Sequence, residues 1–190
     1  LCDRSFLDFI DSKYGRLPEE KELRDVAKQL VSGLSVLHAN RVAHRDIKPA
    51  NLLMNKDRDG YVLKLADFGC SKQAEIYSTH RGIGTTVYRA PELAKPTGDY
   101  SVAVDVWALG ILLYEFAMGC LPFRESGDID AQILKSERIV FPEFVPNSQS
   151  KKRYSDQFRD FMSSMLVSDP EKRATIHQLE IHPFLCDPPP

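Results

Sequence analysis

No two cysteines stand close enough in this sequence to form a metal-ligand pair: Cys2, Cys70, Cys120 and Cys186 are scattered. No secretory leader pattern or Asn-x-Ser/Thr triplet appears either, so reduced thiols in a cytosolic or nuclear setting are expected. Neither charge sign dominates. The 25 basic and 27 acidic residues leave a net charge of −2, which gives no global pull toward nucleic acid or an anionic membrane. Long hydrophobic runs are lacking too. The most apolar segment, Val102 to Met118, carries Asp105 and Glu115 and falls short of a membrane span, so a buried core helix is expected there. There is no internal repeat and no low-complexity linker. With 43% hydrophobic and 27% charged residues over 190 positions, the chain can bury a sizeable core as one globular unit. It opens with Leu1 and not Met, as a piece of a longer protein would.

Hydrophobic spacing places helices over most of the chain. Leu23, Val26, Ala27, Leu30, Val31, Leu34 and Leu37 recur at three and four residues after Pro18, with Glu19 and Glu20 in the expected first turn. Further helices are expected at 101 to 118, around 127 to 137, at 156 to 166 with Phe158, Phe161, Met162, Met165 and Leu166 on one face, and at 175 to 181 before His182-Pro183. Short apolar runs at Val42-Ala43, Leu52 to Met54 and Val62 to Leu65 predict small strands, with Asp59-Gly60 turning between the last two.

Between these strands lies HRDIKPANLL, residues 44 to 53. By itself, so charged and proline-broken a stretch would be a solvated loop. It is followed, however, by ADFG at 66 to 69, GTTVYRAPE at 84 to 92 and DVWALG at 105 to 110. Four such blocks in this order resemble the protein-kinase signature set. From about residue 1 to residue 186 the chain is similar to the large lobe of a eukaryotic serine/threonine protein kinase, and SDPEKRATIHQLEIHPFL at 168 to 185 extends the likeness. The resemblance implies a mainly α fold, the kinase-like C-terminal lobe with a few short β-strands and the small N-terminal lobe absent, followed by a tail at 187–190.

The same resemblance implies ATP and Mg2+ as cofactors and proteins with Ser/Thr acceptors as substrates, with an upstream activating kinase as a further partner and no nucleic acid or membrane. Phosphoryl transfer asks mainly for positioning and charge neutralisation. Asp46 would orient the acceptor hydroxyl, Lys48 would steady the transferring phosphate, and Thr85 would bond both. Asn51 and Asp67 would hold magnesium, an ion that prefers oxygen donors. Leu53 would floor the adenine ring, with Leu52 and Met54 turned into the core. His44 and Phe68 resemble stacked spine residues anchored by Asp105, Trp107 is expected to pack, and Glu92 is expected to pair with Arg173.

Regulation is expected in the segment after Gly69. Arg45 resembles the arginine that meets an activation-segment phosphate, Lys72 matches a second basic group of that pocket, and Ser78 and Thr79 are the candidate phosphosites. The sequence departs from the family here, because Arg81 holds the usual phosphosite position. Glu115 matches a glutamate that selects arginine near the phosphoacceptor in cyclic-nucleotide-dependent kinases. Its expected acidic partner is replaced by Ala50, and the last block looks more like calcium/calmodulin-dependent kinases.

The glycine-rich phosphate loop, the strand lysine and its partner glutamate helix are not found. An incomplete ATP cleft with weak or no activity in isolation is therefore expected. A kinase-derived binding or scaffold module is the alternative.

Overall fold

The computed structural model describes residues 4–12, 16–57, 60–73, 77–78, 85–95, 99–123, 128–136, 139, 141 and 154–186. In chain order these form β1 (Arg4–Ser5), α1 (Phe6–Ser12), α2 (Glu20–Ala39), β2 (Val42–Ala43), β3 (Leu52–Asp57), β4 (Gly60–Leu65), β5 (Lys72–Gln73), β6 (Tyr77–Ser78), α3 (Pro91–Ala94), β7 (Asp99–Tyr100), α4 (Ala103–Met118), α5 (Ile129–Lys135), α6 (Asp156–Met165) and α7 (Ile176–Glu180). Helices dominate, as expected from the spacing.

α4 is the axis. Its residues are apolar on every side, and Trp107, Leu109, Ile111, Leu112 and Leu113 are all fully buried, so it is wrapped by other elements and not laid on a surface. Gly110 permits one close approach: a Cβ there would stand 2.8 Å from Leu166 Cδ2. Gly119, at φ 68°, ends the helix in the left-handed region, and its N–H donates to the Glu115 carbonyl at 2.8 Å.

α2 buries Leu23, Val26, Ala27, Leu30, Val31 and Leu34, the expected face. Glu19 sits one residue before the helix and not in its first turn, and its N–H donates to the Glu22 carboxylate at 3.0 Å. The neighbouring Glu20 ties α2 to α6: its carboxylate accepts from Ser155 N and Ser155 Oγ, both at 2.7 Å. Ser155 Oγ in turn accepts from Phe158 N and caps α6.

β3 and β4 form an antiparallel hairpin in which Leu52 faces Leu65 and Asp57 faces Gly60. Asp59 of its expected turn lies outside the described residues. β1 adds a third strand, pairing Arg4 with Met54 and Ser5 with Leu53. Neither β1 nor α1 announces itself in the sequence. α1 is held by aromatic packing, with the Phe6 ring fully buried and 5.1 Å from that of Phe116. Two short antiparallel ladders pair β2 with β5 and β6 with β7.

A buried ion pair joins distant parts of the chain as expected. Arg173 donates to both carboxylate oxygens of Glu92 at 2.7 and 2.9 Å, to the Ala103 carbonyl at 2.8 Å, and stands 5.2 Å above the Trp107 ring. Removing Arg173 strands the Glu92 charge. Arg173→Ala is expected to cost about 3–5 kcal/mol of unfolding free energy in urea titration, and a loss below about 1 kcal/mol would contradict this role.

Candidate active site

The loop after β2 is shaped from beneath by Asp105 of α4. This fully buried carboxylate accepts from His44 N and Arg45 N, both at 2.8 Å, and lies 2.9 Å from His38 Nε2. Arg45 has φ 70°, a left-handed conformation that costs a non-glycine residue energy, and the carboxylate holds it there. The His44 ring lies 5.0 Å from that of Phe68, tilted by 57° and not stacked, and Phe68 is about half exposed. His44 Nε2 lies 3.0 Å from the Ala66 carbonyl while its Nδ1 accepts from Asp46 N at 3.4 Å. Both ring nitrogens thus face backbone groups, which fits a packing role.

Asp46 emerges from this loop with four donors on its carboxylate. Oδ1 accepts from Thr85 N at 3.0 Å and Thr85 Oγ1 at 2.9 Å. Oδ2 accepts from Lys48 Nζ and Asn51 Nδ2, each at 2.8 Å. Lys48 Nζ also reaches Thr85 Oγ1 at 2.8 Å, closing a ring of three side chains. Burial pushes the Asp46 carboxyl upward, but the hydrogen bonds from Lys48, Thr85 and Asn51 together with the Lys48 charge outweigh it, so the group is held below its ordinary value. It is ionised at neutral pH.

Asn51 ends a 3-10 turn, is nearly buried, and spends its Nδ2 on the Asp46 carbonyl and carboxylate. Asp67 is brought near it by the hairpin: Leu52 faces Leu65, and Ala66 N donates to Asn51 O at 2.9 Å. At φ 59° Asp67 turns left-handed, and its exposed carboxylate accepts from Gly69 N at 3.3 Å. Asn51 Oδ1 and the Asp67 carboxylate are hard oxygen donors, the set that suits magnesium. Among the described residues no cluster of three or more His, Cys, Asp or Glu side chains could hold a metal.

The remaining expected residues separate. Leu53 lies half-buried on β3 between buried Leu52 and Met54. Lys72 is exposed on β5. Thr79 and Arg81 lie outside the described residues, and for Ser78 only the backbone is described, in β6 opposite Asp99. Arg45 donates from Nη1 to the Tyr100 hydroxyl at 2.8 Å, and Glu115 accepts from the Tyr88 hydroxyl at 2.5 Å. Neither tyrosine was expected. Tyr100 lies 55 residues from its partner and Tyr88 lies 27 from its own, so no local spacing marks them.

The lowered Asp46 pKa has a consequence for stability. A carboxyl whose folded value lies below the unfolded one stabilises the fold fully above the unfolded value, about 3.9, and loses that contribution as pH falls through the folded value. Asp46→Asn should therefore unfold at lower urea concentration than wild type at neutral pH, with the gap closing below about pH 3.9. A gap of constant size across that range would contradict it.

The protein kinase domain family model matches residues 2–185. Serine/threonine-protein kinase ppk11 of Schizosaccharomyces pombe is 38% identical over 168 residues, covering 87% of this chain and 51% of that protein. Serine/threonine-protein kinase TOS3 of Saccharomyces cerevisiae is 31% identical, covering 87% of this chain and 32% of that protein. Serine/threonine-protein kinase pakH of Dictyostelium discoideum is 35% identical, covering 97% of this chain and 34% of that protein. The chain thus spans from a third to a half of the length of these relatives. With a family match over nearly its whole length, the chain belongs to the protein kinase domain family, and the relatives it resembles are serine/threonine kinases.

Proposed function

We propose that residues 1–186 supply the catalytic lobe of an ATP-dependent serine/threonine kinase, which transfers the γ-phosphate to Ser or Thr hydroxyls of protein substrates. The observation that carries this reading is the ring of Asp46, Lys48 and Thr85 with Asn51 closing it. No G-x-G-x-x-G stretch occurs in the 190 residues, so in this reading the loop that grips the phosphates comes from outside them. The relatives' names support the reaction class.

Each residue has a distinct task. Asp46 accepts a hydrogen bond from the acceptor hydroxyl and aims its oxygen; with a lowered pKa it is a weak proton acceptor, suited to orienting the nucleophile in a loose transition state. Lys48 places its charge where the transferring phosphoryl group develops negative charge, and Thr85 fixes both partners. Asn51 Oδ1 and the Asp67 carboxylate would hold magnesium, which neutralises phosphate charge when bound. Leu53 offers its side chain as the adenine floor. A phosphate on Ser78 or Thr79, placed by an upstream kinase, would find Arg45 and Lys72 and raise the rate above its basal level.

In the natural protein, Asp46→Asn is expected to lower kcat for a generic Ser/Thr peptide by about 10²–10⁴ while leaving the KM for ATP near its wild-type value. A natural protein that transfers no phosphate at all would favour a binding module built on a kinase lobe.

Glu115 gives the substrate expectation. Its carboxylate stands on α4 beside Tyr88, in the segment that follows Thr85, and we read it as selecting basic residues near the acceptor. A peptide library should show mild enrichment of Arg that Glu115→Gln removes. A flat wild-type profile would end this assignment.

A further inference from the structure

Arg45 sits beside the orienting carboxylate, yet among the described residues its guanidinium meets no acid. Its side-chain partner among these residues is the Tyr100 hydroxyl, which accepts from Nη1 at 2.8 Å, while Nε is buried without a partner. Tyr100 is nearly buried and stands on β7, which pairs with β6 so that Tyr77 faces Tyr100 and Ser78 faces Asp99. The start of the same segment is tied as well, because β5 pairs Lys72 with Ala43, the residue before His44. One phenol therefore joins the catalytic loop to β7, the strand that pairs with β6.

Backbone strain makes that contact consequential. Arg45 is left-handed at φ 70°, and Asp105 restrains only its N–H. Its side chain is restrained by the Tyr100 hydroxyl, and Asp46 is the next residue. A guanidinium released from this bond would seek another acceptor and carry the loop with it, shifting Asp46 relative to an acceptor hydroxyl. Arg81, at the usual place of an activating phosphosite, cannot provide a phosphate.

Resting on the kinase reading above, we propose that Tyr100 is a positioning residue: its hydroxyl holds Arg45 in the unphosphorylated protein and so supports basal phosphoryl transfer without an activating phosphate. Phosphorylation of Ser78 or Thr79 would add to this tie and is not required for it.

The test uses the natural protein after phosphatase treatment, comparing wild type, Tyr100→Phe, Arg45→Met, the double variant and Asp46→Asn. Tyr100→Phe keeps the buried ring and removes only the hydroxyl. Its kcat should fall by roughly tenfold, the size of a lost hydrogen bond to a charged group. The KM for ATP should stay at its wild-type value, so that the loss falls on kcat alone, a split that a merely structural role would not produce. In the Arg45→Met background the same change should cost nothing further, since the hydroxyl acts through Arg45. Equal kcat for treated wild type and Tyr100→Phe would overturn the proposal, as would an equal loss in the Arg45→Met background. So would a wild type silenced by phosphatase yet active before it, since a phosphate would then be setting Arg45. A wild type silent both before and after treatment would overturn the kinase reading itself, and this inference with it.

Discussion

A buried carboxylate on the central helix governs the shape of the site. Asp105 is fully enclosed, and a charge so placed is tolerable only with several donors directed at it. Two of those donors are consecutive backbone N–H groups, from His44 and Arg45, and the third group against it is His38 of α2. The need to satisfy Asp105 thus bends the loop above α4 and holds Arg45 in a conformation that it would otherwise avoid. From that bend Asp46 is delivered to Lys48, Asn51 and Thr85.

A second buried charge works differently. Glu92 is satisfied by a forked guanidinium from the far end of the chain, and Arg173 also accepts a place above Trp107 and against the first carbonyl of α4. Asp105 shapes a loop, while Glu92 and Arg173 fasten the segment after Thr85 to the core. Both depend on α4, whose apolar surface excludes water and makes each unmatched charge costly. Thr85 then connects the two regions, since its N–H and hydroxyl both reach Asp46.

Much of this was legible in the sequence because the relevant residues come in short blocks. The α2 face follows from a helical repeat, and Asp46, Lys48 and Asn51 stand within six positions of one another. Leu52 and Met54 turn inward as alternation in a strand requires. Contacts between distant positions were legible only through resemblance, as with Thr85 on Asp46 and Glu92 on Arg173. Where resemblance offered no partner, the sequence was silent. Tyr88 on Glu115 and Tyr100 on Arg45 arise from tertiary placement, as does the Arg89 bond to Asp130 at 3.0 Å. α1 and β1 escaped notice because their order comes from an aromatic cluster and from β3, not from local periodicity.

The dependence of the site on Asp105 is most directly tested by the rate of γ-phosphate transfer at saturating ATP, comparing the natural protein with its Asp105→Asn variant. Asparagine keeps the shape but offers one acceptor oxygen in place of two, so one loop N–H loses its partner. A fall in kcat of about tenfold or more, with ATP binding retained, is the predicted result. An unchanged kcat would contradict the claim that this carboxylate sets the geometry of Asp46.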